Sequence, residues 1–308
     1  MNDVSLKEYI DSNKNLFLIK ESKLYPGLHV LKYKRKVFHD NLWNKYFEQC
    51  RGTIVDSNFN VVAYPFQKIY NYGIESNAPV LDDSTVVTAY KKINGFMVAI
   101  SCYNDDLLIS TTGSTDSDFV EYAKDMMKLH MPISDWKNVI CSTENKNYTF
   151  LFECVHPEDP HIIVETPGMY FLAKREVSWD STINGFGLNC ATNWKEFAES
   201  ELHCFSVDAF ITTIGELKEL VKSVQHEGFI FYCEDGTASK LKSPYYLTLK
   251  WVARNPNTEK LTNMKNDFKL KINEEFYGLV DAIRENITEY TALSEQDRLT
   301  WVRNYFTK

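Results

Sequence analysis

The sequence predicts an α+β fold in two parts: antiparallel hairpins with flanking helices over residues 1–252, and a small all-helical unit over residues 253–308. Short apolar runs between turn residues predict the hairpins, and Asp235-Gly236 is the strongest turn signal. Beyond Pro256, apolar residues recur at three- and four-residue steps, which is typical of amphipathic helix. The 18 Tyr and 19 Phe also favour a β-containing core.

The composition is that of a globular protein without a basic overall field. The chain has 308 residues and a net charge of −8, so a polyanionic partner needs a local cluster of Lys and Arg. No run of about 18 apolar residues and no signal-peptide pattern is present, so we expect no membrane partner. The seven cysteines form no Cys-x-x-Cys pair, which argues against a zinc site or a disulfide framework and favours a reducing cytosol.

Residues 1–50 are predicted to be mixed and mainly helical. A hairpin follows, with strands at 51–55 and 61–64 and a turn between them. Arg51 begins this hairpin, and Lys68 lies in the aromatic loop after it. Without other evidence, the simplest interpretation of each residue is a surface charge beside a strand.

The pattern Lys-x-x-Gly occurs once in the chain, at Lys92 and Gly95, between two apolar strand-like runs. A lysine on a rigid, partly buried strand can act as a nucleophile if its amine is deprotonated, which requires burial or neighbouring cations. About one such match is expected by chance in this composition. The motif therefore needs support from other parts of a site.

Two further segments carry polar groups beside strands. The segment Thr111 to Ser114 either faces a phosphate or is only a loop before the helix predicted around 118–130. Glu153 lies in the predicted apolar strand 149–155, where a buried carboxylate needs either an ion-pair partner or a functional role. The simpler of these two explanations is an ion pair with a nearby Arg or Lys.

The second hairpin gives a geometric prediction. A two-residue turn at Asp235-Gly236 pairs position 231 with 240 and 229 with 242, and cross-strand partners share a face. The face would then form one wall of a nucleotide pocket, unless a bulge changes the register or the hairpin is a solvated edge. The residues on this predicted face are Glu227, Phe229, Phe231, Lys240 and Lys242.

The remaining segments are predicted to be helical. Residues 180–225 form a helical and loop insertion, and a helix begins near Ser294. The amphipathic series after Pro256 consists of Leu261, Met264, Phe268, Ile272, Phe276, Leu279, Val280, Ile283 and Ile287.

Taken together, these segments resemble the covalent nucleotidyltransferases, and specifically the phage-type RNA ligase 1 family. The resemblance covers roughly residues 40 to 250, and the order and spacing of six short elements carry it. These elements are Arg51-Gly52, Lys68-Ile69-Tyr70-Asn71, Lys92 to Gly95, Phe152-Glu153, Glu227-Gly228-Phe229 and Lys240-Leu241-Lys242-Ser243.

The resemblance implies a nucleotidyltransferase domain of ATP-grasp-like antiparallel sheets with flanking helices, followed by a small helical domain. It also implies three chemical steps. Lys92 attacks the α-phosphate of ATP and releases pyrophosphate; AMP passes to a 5′-phosphate RNA end; and a 3′-hydroxyl RNA end attacks and expels AMP. ATP and Mg²⁺ or Mn²⁺ are the implied cofactors.

The resemblance also implies roles for individual residues. Lys240 and Lys242 hold the α-phosphate and depress the pKa of Lys92. Arg51 and Lys68 bind ribose and phosphates, and Glu153 accepts a ribose hydroxyl. Phe229, or an aromatic residue near Phe171, stacks on adenine. The implied cofactor-binding set is Arg51, Lys68, Tyr70, Gly95, Glu153, Phe229, Lys240 and Lys242, and the implied metal ligands are Glu227 and Glu153.

Three departures keep other functions open. A basic residue that the family often carries a few places after its Glu strand is absent, and His161 stands nearby. Asn94 stands where the family usually carries an acid, and the C-terminal unit is short. The alternatives are a DNA ligase, an mRNA-capping type enzyme, or a catalytically reduced RNA-end-binding protein. The expected setting is a monomer in the cytosol of a bacterial or phage-infected cell, with a separate end-healing kinase or phosphatase as a partner.

Overall fold

A computed structural model describes residues 4–159, 161–179, 181, 188–254 and 272–307, without the side chains of 188–192, 252–254 and 295. The chain divides into two compact units. The first unit comprises Met1–Val37, Asn41–Lys68 and Ile93–Asp208, and the second comprises Phe38–Asp40, Ile69–Lys92 and Ala209–Lys308. The chain therefore passes from the second unit to the first directly after Lys92.

The secondary structure alternates between strands and helices along the chain. The strands are Phe17–Glu21 (β1), His29–Tyr33 (β2), Arg51–Val55 (β3), Val61–Ala63 (β4), Tyr70–Asn71 (β5), Val86–Lys91 (β6), Phe96–Tyr103 (β7), Asp106–Thr111 (β8), Tyr148–Val155 (β9), Gly168–Glu176 (β10), Ala209–Thr213 (β11), Gly228–Tyr232 (β12) and Ala238–Lys242 (β13). The α-helices are Leu6–Ser12 (α1), Arg35–His39 (α2), Lys45–Gln49 (α3), Asp118–His130 (α4), Ile133–Ile140 (α5), Leu188–Ser200 (α6), Ile214–Ser223 (α7), Pro244–Arg254 (α8), Tyr277–Glu285 (α9), Ile287–Ala292 (α10) and Glu295–Thr307 (α11). Short 3₁₀ helices cover Lys14–Leu16 and Glu274–Phe276.

The first unit contains two four-stranded antiparallel sheets. One has the order β1-β2-β3-β4, so each strand pairs with the next in sequence. The other has the order β10-β9-β7-β8, which places the strand after Gly95 beside the strand that carries Glu153. Apolar side chains of α4, α5 and α6 pack on β7, β9 and β10 to form a large core cluster.

One disulfide links the second sheet of this unit to the end of α5. It joins Cys102 on β7 to Cys141, with a Cα–Cα distance of 5.1 Å. The cysteine pattern did not predict this bridge, because the two residues are 39 positions apart and in no recognisable motif. The free cysteines Cys50, Cys154, Cys204 and Cys233 are buried.

The second unit is built on a five-stranded sheet in the order β11-β6-β12-β13-β5. Only β13 and β5 pair in parallel; the other pairs are antiparallel. Helix α7 covers one face, where Leu217 and Val221 pack with Phe229 and Phe231. Lys240 and Lys242 of β13 alternate with Leu241 of this core, so they lie on the opposite face of the sheet.

Helices complete the second unit. The ring of Trp251 on α8 lies 5.3 Å from that of Phe276, which is buried with Leu279, Val280 and Ile283. The Ser294 hydroxyl accepts a hydrogen bond from the Asp297 amide at 3.2 Å, which confirms the predicted helix start. The earlier apolar positions Leu261, Met264 and Phe268 lie outside the described residues.

The predicted α+β class and the hairpin of β3 and β4 are confirmed. The prediction for residues 1–50 is wrong in part, because β1 and β2 lie among the short helices there. The edge strand β11 was missed within the segment predicted as helix and loop. The boundary between residues 252 and 253 remains a prediction. In the described part of the chain, no helix has the length and apolar character needed to span a membrane.

Candidate active site

Lys92 directly follows the last residue of β6, and the register of the sheet fixes the face that it occupies. The preceding residue, Lys91, pairs with Phe229, which packs under α7. The Lys92 amide donates to the Gly228 carbonyl at 2.9 Å, so Lys92 continues the pairing of β6 with β12. Because successive side chains of a strand alternate between faces, the Lys92 side chain lies on the face opposite to α7. Lys92 Nζ lies 3.1 Å from Glu227 Oε2, with the two side chains 19% and 5% exposed. The alternation of side chains along a strand thus places Lys92 and Lys91 on opposite faces.

The hairpin of β12 and β13 has a different register from the one predicted. Ile230 pairs with Lys240, and Gly228 pairs with Lys242. Glu234, Asp235 and Gly236 form a three-residue connection closed by the hydrogen bond from the Cys233 amide to the Thr237 carbonyl at 2.8 Å. Gly236 has a φ of +84°, the left-handed conformation that such a loop requires.

This one-residue difference changes which side chains share a face. Lys240 and Lys242 lie on the Lys92 side of the sheet, whereas Phe229 and Phe231 are in the core under α7. The prediction of one face with both lysines and both phenylalanines is wrong. The role of Phe229 toward adenine remains a prediction without that register to support it.

Gly228 lets the backbones of β12 and β13 approach closely beside Lys92. Its φ is +128°, and a Cβ placed on it would lie 2.1 Å from the Leu241 carbonyl oxygen and 2.8 Å from Lys242 Cα. Any larger residue would separate the strands. The glycine in Glu-Gly-aromatic is therefore a steric requirement of this hairpin.

A chain of buried ion pairs extends from Lys92 into the helical end of the second unit. Lys242 Nζ lies 3.7 Å from Glu227 Oε1 and 3.1 Å from Glu275 Oε1. Lys250 pairs with the same Glu275 oxygen. Three lysines and two glutamates thus alternate, and we call this set the ion network (Lys92, Glu227, Lys242, Glu275 and Lys250).

The electrostatics of the ion network follow from its burial. Burial alone lowers the pKa of Lys242, but the Glu275 and Glu227 carboxylates outweigh it and raise that pKa above its ordinary value. Burial alone raises the pKa of Glu275, but Lys242 and Lys250 hold it well below its usual range. Burial, with a smaller effect of Glu227, raises the pKa of Tyr246, whose ring lies 5.4 Å from Lys242 Nζ.

Sequence reasoning missed Tyr246, Lys250 and Glu275. Tyr246 and Lys250 are four residues apart on α8, directly after the Lys-x-Lys-Ser element, so helical spacing was a usable signal for both. No local pattern identifies Glu275, because it is 33 residues from Lys242 in the sequence.

Tyr70 lies on β5, beside the lysine strand. It is buried, it pairs with Ser239, and its carbonyl accepts a hydrogen bond from the Ser239 hydroxyl at 2.7 Å. The Tyr72 amide donates to the Lys240 carbonyl at 2.9 Å. This short parallel pairing holds the backbone of β13 from its second side.

In the first unit, Gly95 and Glu153 contact each other. The Gly95 amide donates to Glu153 Oε1 at 3.1 Å, and Met97 pairs with Glu153 across β7 and β9. A Cβ on Gly95 would lie 2.3 Å from the Cys154 carbonyl oxygen and 3.1 Å from Glu153 Cγ. The glycine of Lys-x-x-Gly is therefore needed for the close approach to β9. Asn94 is buried beside it and accepts a hydrogen bond from the Ile163 amide at 3.4 Å.

Arg51 and Lys68 are positioned by a bulge and a loop of the first unit. Gly52, with a φ of +98°, forms an irregularity in β3 that places Arg51 opposite Lys32. The Lys68 amide donates to the Glu48 carbonyl at 2.8 Å, and its ammonium lies 4.9 Å from the centre of the Trp43 ring.

A fully buried arginine fixes the loop before Lys68. Arg175 donates to the Pro65 carbonyl and to Gln49 Oε1, each at 2.7 Å. Its guanidinium carbon lies 3.5 Å from the centre of the Tyr64 ring. These contacts tie the residues before Arg51 and Lys68 to β10.

The segment Thr111 to Ser114 forms a local turn. The Thr111 amide donates to the Ser114 carbonyl at 2.8 Å, and the Ser114 hydroxyl contacts Lys20 and Asp116. Ser117 occupies the N-cap position of α4. Of the two interpretations of this segment, the loop before a helix agrees with the structure.

A sequence profile of the RNA ligase family matches residues 49–277, well over half of the chain. The chain belongs to the phage-type RNA ligase 1 family. The match extends from before Arg51 to beyond Glu275, so it includes both the predicted site residues and the ion network.

Relatives and solved structures are consistent with this family. An RNA ligase of Rhodothermus phage RM378 is 23% identical over 304 residues, which covers 79% of this chain and 68% of the relative. A putative ATP-dependent DNA ligase from Aquifex aeolicus has a TM-score of 0.57 at 15% identity, covering 96% of this chain and 77% of that one. An archaeal ATP-dependent RNA ligase has a TM-score of 0.56 at 15% identity, covering 99% and 78%. The fold is thus that of the ATP-dependent ligases.

The described carboxylates can be compared with what a divalent cation requires. Within the described ranges, no group of three or more His, Cys, Asp or Glu side chains converges as a metal cage. Mg²⁺ keeps several waters and takes one or two carboxylates together with substrate phosphates. Glu227 has the donor chemistry for such a hydrated ion, and in this structure its carboxylate pairs with Lys92 and Lys242. The Glu153 carboxylate accepts the Gly95 amide.

Proposed function

We propose that this chain is an ATP-dependent RNA ligase that joins 5′-phosphate and 3′-hydroxyl RNA ends through a lysyl–AMP intermediate on Lys92. The position of Lys92 carries the proposal. It is the partly exposed end of a buried ion network and has Glu227 within 3.1 Å. Lys91, its neighbour, pairs with Phe229 of the α7 core.

In the first step, Lys92 Nζ attacks the α-phosphorus of ATP. A nitrogen–phosphorus bond forms, the bond from the α-phosphorus to the bridging oxygen breaks, and pyrophosphate leaves. Lys92 must lose a proton for this attack. In the structure the Glu227 carboxylate stabilises its ammonium form. A divalent cation bound at Glu227 would supply positive charge there, which favours the neutral amine and offsets phosphate charge.

The other residues of the chain position and neutralise the phosphates. Lys240 and Lys242, on the same face as Lys92, are proposed to hold the α-phosphate, since phosphoryl transfer depends mainly on positioning and charge. Arg51 and Lys68 are proposed to bind ribose and phosphate oxygens, and Glu153 a ribose hydroxyl.

The two later steps use the same centre. The 5′-phosphate oxygen of one RNA end attacks the phosphorus of lysyl–AMP, and Lys92 leaves as an amine. The 3′-hydroxyl of the other end then attacks the activated 5′-phosphate, and AMP leaves. We propose that the product serves RNA repair, including tRNA repair, in the cytosol of a bacterial or phage-infected cell. A separate enzyme would heal the ends, and the ligase would act as a monomer.

We further propose that the helical segment 253–308 influences which RNA is joined. Two described contacts support a link to the site: the pairing of Glu275 with Lys242 and the packing of Trp251 on Phe276. Asn94, the departure that suggested a catalytically reduced protein, has a structural role as the acceptor for the Ile163 amide.

The test uses labelled nucleotide and defined ends. Purified protein with Mg²⁺ and α-labelled ATP should retain acid-labile label after denaturation, and α-labelled GTP should give little. Single-stranded RNA with a 5′-phosphate and a 3′-hydroxyl should then be circularised. Efficient joining of an all-DNA strand would favour a DNA ligase, labelling by GTP would favour a capping enzyme, and absence of label in folded protein would contradict the proposal.

A further inference from the structure

A concentration of positive charge near the N-terminus contrasts with the acidic chain. The net charge of the whole chain is −8, yet residues 29–51 hold three times as many basic as acidic side chains, without counting histidine. The basic residues are Lys32, Lys34, Arg35, Lys36, Lys45 and Arg51; the acidic ones are Asp40 and Glu48. Such a local excess of charge is the electrostatic footprint of a polyanion site.

The β2–β3 pairing brings like charges together. Lys32 lies directly opposite Arg51, beside the irregularity at Gly52. Like charges opposite one another on a sheet are destabilising unless an anion lies between them. Burial lowers the pKa of Lys32, and the Arg51 and Arg35 charges lower it further. Among the described side chains, no carboxylate forms an ion pair with Lys32 or Arg51.

The basic run continues from the strand into α2. Lys34 joins the two elements and is half-buried, whereas Arg35 and Lys36 are exposed. At about 3.3 Å per strand residue and about 1.5 Å per helical residue, the run from Lys32 to Lys36 extends about 10 Å. That length exceeds a single phosphate group and suits a backbone with repeated phosphates.

Aromatic rings lie beside these cations. The Tyr33 and Trp43 rings meet edge to face at 4.9 Å, and Lys68 Nζ lies over the Trp43 ring. Both aromatic residues are partly exposed. A basic groove with interleaved aromatic side chains is the common arrangement for single-stranded nucleic acid.

Resting on the proposed function, we infer that Lys32, Lys34, Arg35 and Lys36 form a basic strip that binds the phosphate backbone of the substrate RNA. The occupant is a single-stranded RNA segment near the end being joined. A protein partner is disfavoured because four of the five residues from 32 to 36 are cationic, which suits a polyanion. The strip contributes to RNA affinity and leaves the transfer of AMP to Lys92 unaffected.

The test compares two sets of lysine and arginine changes. The test variant is Lys34→Gln/Arg35→Gln/Lys36→Gln, and Lys124→Gln/Lys128→Gln is the control on α4. Lys124 and Lys128 are surface lysines of the same unit that pair with Glu121 and Asp125. A third variant, Lys34→Arg/Lys36→Arg, keeps the charge. Thermal melting establishes that each variant is folded.

Two readouts separate the strip from the chemistry. In the first, fluorescence anisotropy measures binding of a 5′-phosphorylated, single-stranded RNA at several salt concentrations. The test variant should bind at least about tenfold more weakly at moderate salt, and its salt slope should decrease by about 2, since each phosphate contact contributes about 0.7 for single strands. In the second, lysyl–AMP formation without RNA should stay within about twofold of wild type.

The outcomes distinguish this inference from the proposed function. Unchanged RNA affinity and salt slope in the folded test variant would overturn it, as would an equal loss in the α4 control. Loss of lysyl–AMP formation in the test variant would assign the strip to the nucleotide instead and also overturn it. If the wild type binds RNA but forms no lysyl–AMP, the proposed function fails while the strip is still measured by anisotropy.

Discussion

Replacement of Gly95 by alanine tests why the Lys-x-x-Gly motif ends in glycine. The added Cβ would lie 2.3 Å from the Cys154 carbonyl oxygen, whereas ordinary contacts begin at 3.4 Å. The backbone must therefore move by about 1 Å, and overpacking of that kind costs about 1–3 kcal/mol. The same movement breaks the hydrogen bond from the Gly95 amide to Glu153. A hydrogen bond to a charged group contributes about 1.5–3 kcal/mol.

The two effects predict separate results for Gly95→Ala. Together they give a destabilisation of about 2.5–6 kcal/mol, which should lower the melting temperature by roughly 5–24 °C. If the Glu153 contact serves the reaction, a loss of about 2 kcal/mol should slow lysyl–AMP formation about 30-fold. Gly113→Ala is the matched control, because no atom lies within 4 Å of its added Cβ. A Gly95→Ala protein with the melting temperature and labelling rate of the Gly113→Ala protein would refute this reasoning.

Three further predictions concern the second unit. Lys242→Gln should reduce lysyl–AMP formation at least about 100-fold. Because Lys242 is buried between two carboxylates, the change should also lower the melting temperature. The control Lys222→Gln, at an exposed pair with Glu219, should change neither the labelling nor the melting temperature. Glu275→Gln should destabilise the protein by about 3–5 kcal/mol at neutral pH. Because the pKa of Glu275 is depressed in the folded protein, the difference in unfolding free energy between wild type and variant should shrink as the pH falls below 4.5, the ordinary pKa of a glutamate. Urea unfolding at several pH values measures this difference. Gly228→Ala should open the β12–β13 pair and abolish labelling, since its Cβ would lie 2.1 Å from the Leu241 oxygen; labelling equal to wild type would contradict the proposed approach of these strands.

Much of the fold could be predicted because local patterns decide it. The β3–β4 hairpin and the Ser294 helix start depend on residues close in sequence, and both are confirmed. The register of the second hairpin could not be derived in the same way. Asp235-Gly236 is compatible with both a two-residue turn and the last part of a three-residue loop, and the choice moves every partner by one residue.

The site was predictable where it lies in ordered short motifs and not where it depends on tertiary contact. Lys92, Glu227 and Lys242 share one ion network as the motifs suggested. Glu275 joins that network only because the helical segment returns to α8, a contact that no sequence spacing encodes. Sequence alone also does not show that Lys242 is part of the packed structure, with a side chain that is only 7% exposed.

The most direct measurement locates the nucleotide on the protein. Wild type, Lys92→Ala and Lys91→Ala are incubated with Mg²⁺ and α-labelled ATP, and the labelled peptide is identified by mass spectrometry. Lys92 and Lys91 lie on opposite faces of the sheet, so only Lys92 is expected to carry AMP. The proposed function predicts label on Lys92, none in Lys92→Ala, and near-normal label in Lys91→Ala. Label on Lys91, or label that persists in Lys92→Ala, would contradict it.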